Sequence, residues 1–244
     1  MPKARSEPQA NGVSEGVPVL RPWSEDVWIA EAPLRFYGVP FGTRMTVLRM
    51  PDGGLVLHSP IDPTPALRAE VERLGPVRHL VAPNKLHHLF VGAAKATWPE
   101  ARLWAPPGLA ARRADLAFDA ALEDAEPADF GNMLEPLVVR GSRVMQEVVF
   151  LHPASRTLLV ADLCEHFGPW SPWLTRCVAR VARMYGRPCM PPDWRASFRD
   201  RGAARQSFER LLGWGFDRAI LAHGRLLEAG ARQALADSFR WALR

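Results

Sequence analysis

At 244 residues, the chain has room for one large domain or two small ones and can bury a substantial core. Hydrophobic residues make up 48% and charged residues 23%, the balance of a globular protein, which argues against wholesale disorder; no apolar run reaches the roughly 18 residues of a membrane span. The net charge of +5 comes mainly from scattered Arg, with Lys3, Lys85 and Lys95 the only lysines, so no basic tract or nucleic-acid motif accompanies it and nucleic-acid binding is not expected.

Residues 1–20 read as a disordered polar tail without the apolar centre of a secretory signal, which points to a cytoplasmic protein, and residues 21–244 read as a single domain. Asp26 to Ala32 is a predicted strand. Met45 to Met50 and Leu55 to His58 are two more, joined by the hairpin signal Asp52-Gly53-Gly54. A helix follows from Pro65 to Gly75, with Leu67, Val71 and Leu74 at helical spacing, then a strand from Val77 to Ala82 stopped by Pro83. Helix His87 to Ala96, strand Ala101 to Ala105 and helix Leu109 to Leu116 continue the alternation, and acidic Asp119 to Asp129 reads as loop. Strands return at Glu135 to Arg140, Glu147 to His152 and Thr157 to Asp162, the last two joined by a turn at Pro153 to Arg156. Helices Trp173 to Tyr185 and Ala203 to Gly213, strand Arg218 to Ala222 and helix Leu227 to Leu243 complete the chain.

Three apolar strands deliver a metal-capable side chain at or just beyond the C-terminal end: Val77 to Ala82 leads to His87 and His88, Leu158 to Ala161 to Asp162, and Ala219 to Ala222 to His223. In a buried sheet such ends meet at one edge, where small-molecule and metal sites form. Imidazoles and a carboxylate suit zinc, iron or manganese. Each residue also has an ordinary structural reading. The His pair opens a helix, on which neighbours diverge; Asp162 is a helix N-cap; His223 is a hydrogen-bonded core histidine. Lys85 stands two residues before the pair and places a cation in the same pocket, or is an exposed loop lysine. His58 is a turn residue or an outer hydrogen-bond partner of the cluster, and His79 and His152 fall outside it. Arg143 and Glu147 read first as a surface ion pair. Cys164, Cys177 and Cys189 lack CxxC spacing and read as free thiols, and Cys164 has no base to activate it. Trp170, Trp173 and Trp194, set among prolines, read as core or as a cover for an apolar substrate. The helix from Trp173, with Arg176, Arg180 and Arg183, reads as a surface helix, though it also has the character of a membrane-surface one.

Four segments carry a resemblance: Asp52 to Pro60, Pro83 to Phe90, Ser155 to Asp162 and Ala222-His223-Gly224. With the order of elements they resemble the metallo-beta-lactamase fold superfamily, in a divergent branch known only as a domain of unknown function. The resemblance implies an α/β fold, the four-layer α-β-β-α sandwich, with a metal site at one edge. In the superfamily a Thr-His-x-His-x-Asp-His loop serves two metals. Matched to end on His88, it puts Pro83 and Lys85 at the first two His positions and His87 at the Asp position, with Arg143 or a neighbour at a further first-site His. Asp162 matches the bridging aspartate and His223 the last second-site histidine. The first metal site is thereby lost, and a second site of His87, His88, Asp162 and His223 is implied for one divalent ion, zinc or iron or manganese. Lys85 would leave its ammonium beside Asp162, and Lys85 and His87 would be the catalytic side chains of a single-metal hydrolase acting on a small molecule. The alternative is a catalytically inactive member that binds a small molecule or a protein. A nucleic-acid-processing enzyme of the same fold ranks last.

Overall fold

The structure, a computed structural model, describes residues 20–244, so the expected tail lies outside the described residues except for Leu20. Two sheets face each other. The larger runs in the order β1 (Arg21–Ser24), β2 (Val27–Ala32), β5 (Thr43–Arg49), β6 (Leu55–His58), β7 (Val77–Val81), β8 (Arg102–Ala105) and β9 (Ala120–Ala121). Its first four strands are antiparallel, and from β6 onward the pairing is parallel, with α1 (Pro65–Leu74) and α2 (Val91–Thr97) as crossovers. A short hairpin of β3 (Arg35–Phe36) and β4 (Val39–Pro40) projects between β2 and β5. The smaller sheet is β10 (Glu135–Val138), β11 (Val148–His152), β12 (Thr157–Val160) and β13 (Arg218–Leu221), with β12 and β13 parallel. Between those two strands the chain forms α3 (Trp173–Val181), α4 (Pro192–Ser197) and α5 (Arg201–Gly213), and α6 (Ala231–Leu243) ends it.

Alternation along the strands sorts the core into three layers. Val56, Val81 and Trp104 point inward to meet Phe150, Leu159 and Ile220 from the facing sheet. Their neighbours Leu55, Leu57 and Leu80 point outward onto Leu67 and Val71 of α1 and Val91 of α2. On the other side, Leu158, Val160 and Leu221 point outward onto Phe208 and Leu211 of α5 and Leu235 and Phe239 of α6. Helix, sheet, sheet and helix layers result, as the resemblance implied. Among the described residues no helix is long and apolar enough to cross a membrane.

Several predicted elements differ. Leu109 to Leu116 is a run of turns rather than a helix: only its two end residues are large apolar ones, too few for a buried stripe, and Gly108 enters it with φ +75°. The loop expected at Asp119 to Asp129 instead contains β9 and two 3₁₀ turns, Leu122–Asp124 and Pro127–Phe130. The last helix starts at Ala231 and not at Leu227, because Leu227 exchanges backbone hydrogen bonds with Ala219 beside β13. Helix α2 starts at Val91, which leaves His87 to Phe90 in the turn before it.

Phe208 is fully buried and stacks on Phe239 with ring centroids 4.2 Å apart. Phe208→Ala is expected to cost about 3–5 kcal/mol of unfolding free energy, while Trp173→Ala, on the exposed face of α3, changes it by less than ~0.5 kcal/mol; urea unfolding followed by circular dichroism measures both.

Candidate metal centre

The C-terminal ends of β6, β7, β12 and β13 lie at one edge of the sandwich, and the polar residues beyond them are buried against one another. Glu147, just before β11, is fully buried. Its carboxylate accepts the backbone N–H groups of Ala161, Asp162 and Leu163 at 2.8–3.0 Å and the Asn84 side-chain amide at 2.9 Å. Burial, then the Asp162 charge, pushes the Glu147 carboxyl up to about 7, and the hydrogen bonds pull the other way. Asn84 also donates from Nδ2 to Asp162 Oδ2 at 2.7 Å, while its own oxygen accepts the N–H groups of Leu86 and His87. This Asx turn lifts the chain after Pro83 over the sheet edge and sets His87 in place.

His87, Asp162 and His223 converge. Their Nε2 atoms are 3.0 Å apart, and Asp162 Oδ1 lies 3.4 Å from that of His87 and 3.2 Å from that of His223. His223 Nδ1 donates to the Gly42 carbonyl at 2.6 Å, which leaves its Nε2 as a lone pair in the neutral ring. His87 Nδ1 shares a 2.6 Å hydrogen bond with the Ser59 hydroxyl, so its Nε2 also faces the cluster. Burial alone would raise the Asp162 carboxyl, but the two imidazoles outweigh it and hold the group well below the usual carboxylate range. A tetrahedral ion with donors at about 2.0–2.1 Å keeps those donors about 3.3 Å apart, close to the three separations observed, so the donor set fits one divalent ion.

The backbone around His223 is fixed from both sheets. Arg44 of β5, buried and paired with Glu31 at 2.6 Å, donates to the carbonyls of Leu221 and Gly224. Gly224 has φ +76° and packs against the His166 backbone, where a Cβ would collide with the His166 carbonyl.

The sequence profile of a domain of unknown function, DUF4336, matches residues 24–180. The chain belongs to the DUF4336 family. Nothing among curated proteins matches it. Solved structures similar to this DUF4336 protein include a metallo-beta-lactamase from Pontibacter korlensis, with TM-score 0.62 and 15% identity over 93% of this chain and 99% of that one. The metallo-beta-lactamase DIM-1 exposed to ceftazidime matches with TM-score 0.65 and 12% identity, over 94% and 99% of the two chains. FIM-1 from Pseudomonas aeruginosa, in its mono-zinc form, matches with TM-score 0.60 and 12% identity, over 96% and 100%. The fold is that of the metallo-beta-lactamases, divergent in sequence.

Within the DUF4336 site, not every residue named from sequence joins the cluster. His88 stands apart from it. In the turn His87 to Phe90, consecutive side chains diverge by about 100°, and His88 Nδ1 meets an Arg113 guanidinium nitrogen at 2.9 Å instead. Lys85 is buried but turns away from Asp162, donating to the Arg143 carbonyl at 2.9 Å and to the Gln146 side chain. The partner beside Asp162 is the neutral Asn84 amide, not the expected ammonium. Arg143 and Glu147 form no pair, because Glu147 is turned inward onto the backbone of the β12 end. His79 accepts from Trp104 Nε1, and His152 pairs with Ser155, both away from the cluster as expected. His58 is buried against Phe150 with Nε2 unpartnered, and burial followed by the His87 charge pushes it down to about 3. Burial pushes the Cys164 thiol well up, consistent with an inert thiol.

A cavity of about 440 Å³ opens over the triad. Its walls are largely apolar, with Phe41, Phe90, Phe167, Val178 of α3 and Ala182 just after α3 among the lining residues. Trp194, Pro191 and Pro192 line it, whereas Trp173 lies outside at 69% exposure and Trp170 lines a separate small crevice. Glu165 also faces the cavity, its carboxyl pushed up to about 8 by burial. Sequence reasoning singled out Trp194 and its neighbouring prolines as core or as a cover for an apolar substrate, but not Asn84, Ser59, the Gly42 carbonyl or the other apolar wall residues. Of these, Asn84 carried a signal, as an Asn after Pro at the end of a strand favours a local turn.

Glu147→Gln puts an amide N–H₂ among groups that can only donate, and is expected to destabilise the protein by about 1–3 kcal/mol. Arg143→Gln, on the exposed loop, is expected to change stability by less than ~0.5 kcal/mol. Parallel urea titrations of the two variants give the comparison.

Proposed function

We propose that this DUF4336 protein is a single-metal hydrolase whose ion is held by His87, Asp162 and His223. The convergence of two imidazole Nε2 atoms and one carboxylate oxygen at tetrahedral spacing carries this reading. Zinc, iron and manganese accept this donor set, and Lewis-acid polarisation of a carbonyl together with acidification of water is the chemistry such an ion supplies. Asp162 gives Oδ1 to the cluster while Asn84 holds Oδ2, so the carboxylate cannot swing. Ser59 and the Gly42 carbonyl fix the two rings. Glu147 holds Asn84 and the Asp162 backbone and so acts as a positioning residue. Glu165, on the cavity wall, offers a carboxyl that can exchange a proton with a leaving group.

The hydrogen bonds around Asp162 Oδ2 also favour a second reading. Pro83 and Lys85 stand where the resemblance puts the superfamily's first two histidines; a proline ring cannot ligate, and the Lys85 ammonium is bonded to the Arg143 carbonyl and the Gln146 side chain. A protein that binds a ligand without converting it is consistent with that loss.

Metal analysis by plasma mass spectrometry on the purified full-length chain tests the centre. About one ion per chain is expected in the wild type, its loss in His87→Ala and Asp162→Ala, and its retention in His88→Ala, with folding checked by circular dichroism. The absence of stoichiometric metal after reconstitution with zinc, iron and manganese would overturn the metal reading. A metal-bound protein inactive on a panel of esters, thioesters and amides would favour the binding reading.

A further inference from the structure

We infer that the cavity over the triad selects an uncharged, largely apolar small molecule and rejects anionic ones, an inference that rests on the metal-centre reading for what happens to the bound molecule but not for the selectivity. The chain carries 31 Lys and Arg residues, yet among the described residues no Lys or Arg lines this cavity. Among the described residues, the ionisable side chains that line it, apart from the histidines, are acids: Asp162, Asp193 and Glu165, the last with its carboxyl pushed up to about 8 by burial. Arg113 reaches the cavity side of the fold through His88, but its guanidinium is held by Asp115 in a two-pronged pair at 2.8 Å. Lys85 is spent on Arg143 and Gln146. A phosphate, sulfonate or carboxylate entering here would lose its water, face carboxylates and find no cationic side chain on the walls. An aromatic or aliphatic body finds instead Phe41, Phe90, Phe167, Val178 and Met184, in a volume suited to a ligand of ordinary drug or metabolite size. Among the substrates open to a metal hydrolase, the walls thus favour a neutral hydrophobic ester, thioester or amide over a phosphoester.

A matched pair of fluorescent probes separates charge from shape. N-phenyl-1-naphthylamine and 8-anilinonaphthalene-1-sulfonate share one ring skeleton and differ by a sulfonate. Titrated into the chelator-treated full-length protein, the neutral probe is expected to bind at least about tenfold more tightly, and the margin narrows in the metal-loaded protein, where the ion itself attracts the sulfonate. Val178→Trp, which fills the cavity from α3, should abolish that binding. Ala182→Lys, which adds a cation to the wall, should narrow or reverse the preference. Equal or tighter binding of the sulfonate by chelator-treated wild-type protein would overturn the inference, as would neutral-probe binding unchanged in folded Val178→Trp; if that variant does not fold, an unchanged preference in Ala182→Lys does the same. Metal analysis keeps the two ideas apart, because a protein that takes up no metal on reconstitution yet still prefers the neutral probe sinks the metal centre and leaves the selectivity standing.

Discussion

Glu147 is a carboxylate with no access to water, and such a group must be saturated with donors or give up its charge. Its donors are the three consecutive N–H groups at the end of β12 and the amide of Asn84, which comes from the loop after β7 in the other sheet. One side chain thereby fixes the turn that presents Asp162 and, through Asn84, the turn that presents His87. The apolar layer between the sheets brings these loops near each other, but apolar contacts are indifferent to direction. The directional bonds around Glu147 give the edge its definite geometry.

The rest of the cluster follows the same logic of buried groups assigned one partner each. Gly42 takes the His223 Nδ1 proton, Ser59 takes the His87 Nδ1 position, and Asn84 takes one oxygen of Asp162. What remains on all three residues is one unspent atom, and those atoms point at a common space. A structural polar cluster closes on itself, with each donor matched to an acceptor. Here the two Nε2 atoms face each other with at most one proton to share when both rings are neutral, which leaves donor atoms that could hold a metal ion.

Much of the scaffold was legible because it rests on period-two and period-3.6 patterns that survive in any sequence burying both faces of a sheet. The strand ends at Asp162 and His223 were legible for the same reason, since a polar residue terminating an apolar run stands out. Which of His87 and His88 turns inward was not, because that depends on an Asx turn whose acceptor is Asn84, and adjacent histidines look alike without it. Glu147 beside Arg143 reads as a surface pair, since nothing local says that the backbone at 161–163, some fifteen residues away, will need an acceptor. The cavity walls come from residues as far apart as Phe41, Phe90 and Val178, each of which looks like ordinary core until the fold leaves a space among them.

Gly224 ties the aim of His223 to a backbone shape open to few other residues. Its left-handed conformation strains most side chains, and its contact with the His166 backbone leaves no room for even a methyl group. For inheritance this means that position 224 cannot drift on its own. A lineage that replaces this glycine must move the backbone at His166 or re-aim the histidine before it, so His223 and Gly224 pass down as one unit. The cavity walls have no such constraint on their backbone, and descendants of this chain can change what the cavity admits while leaving the triad as it is.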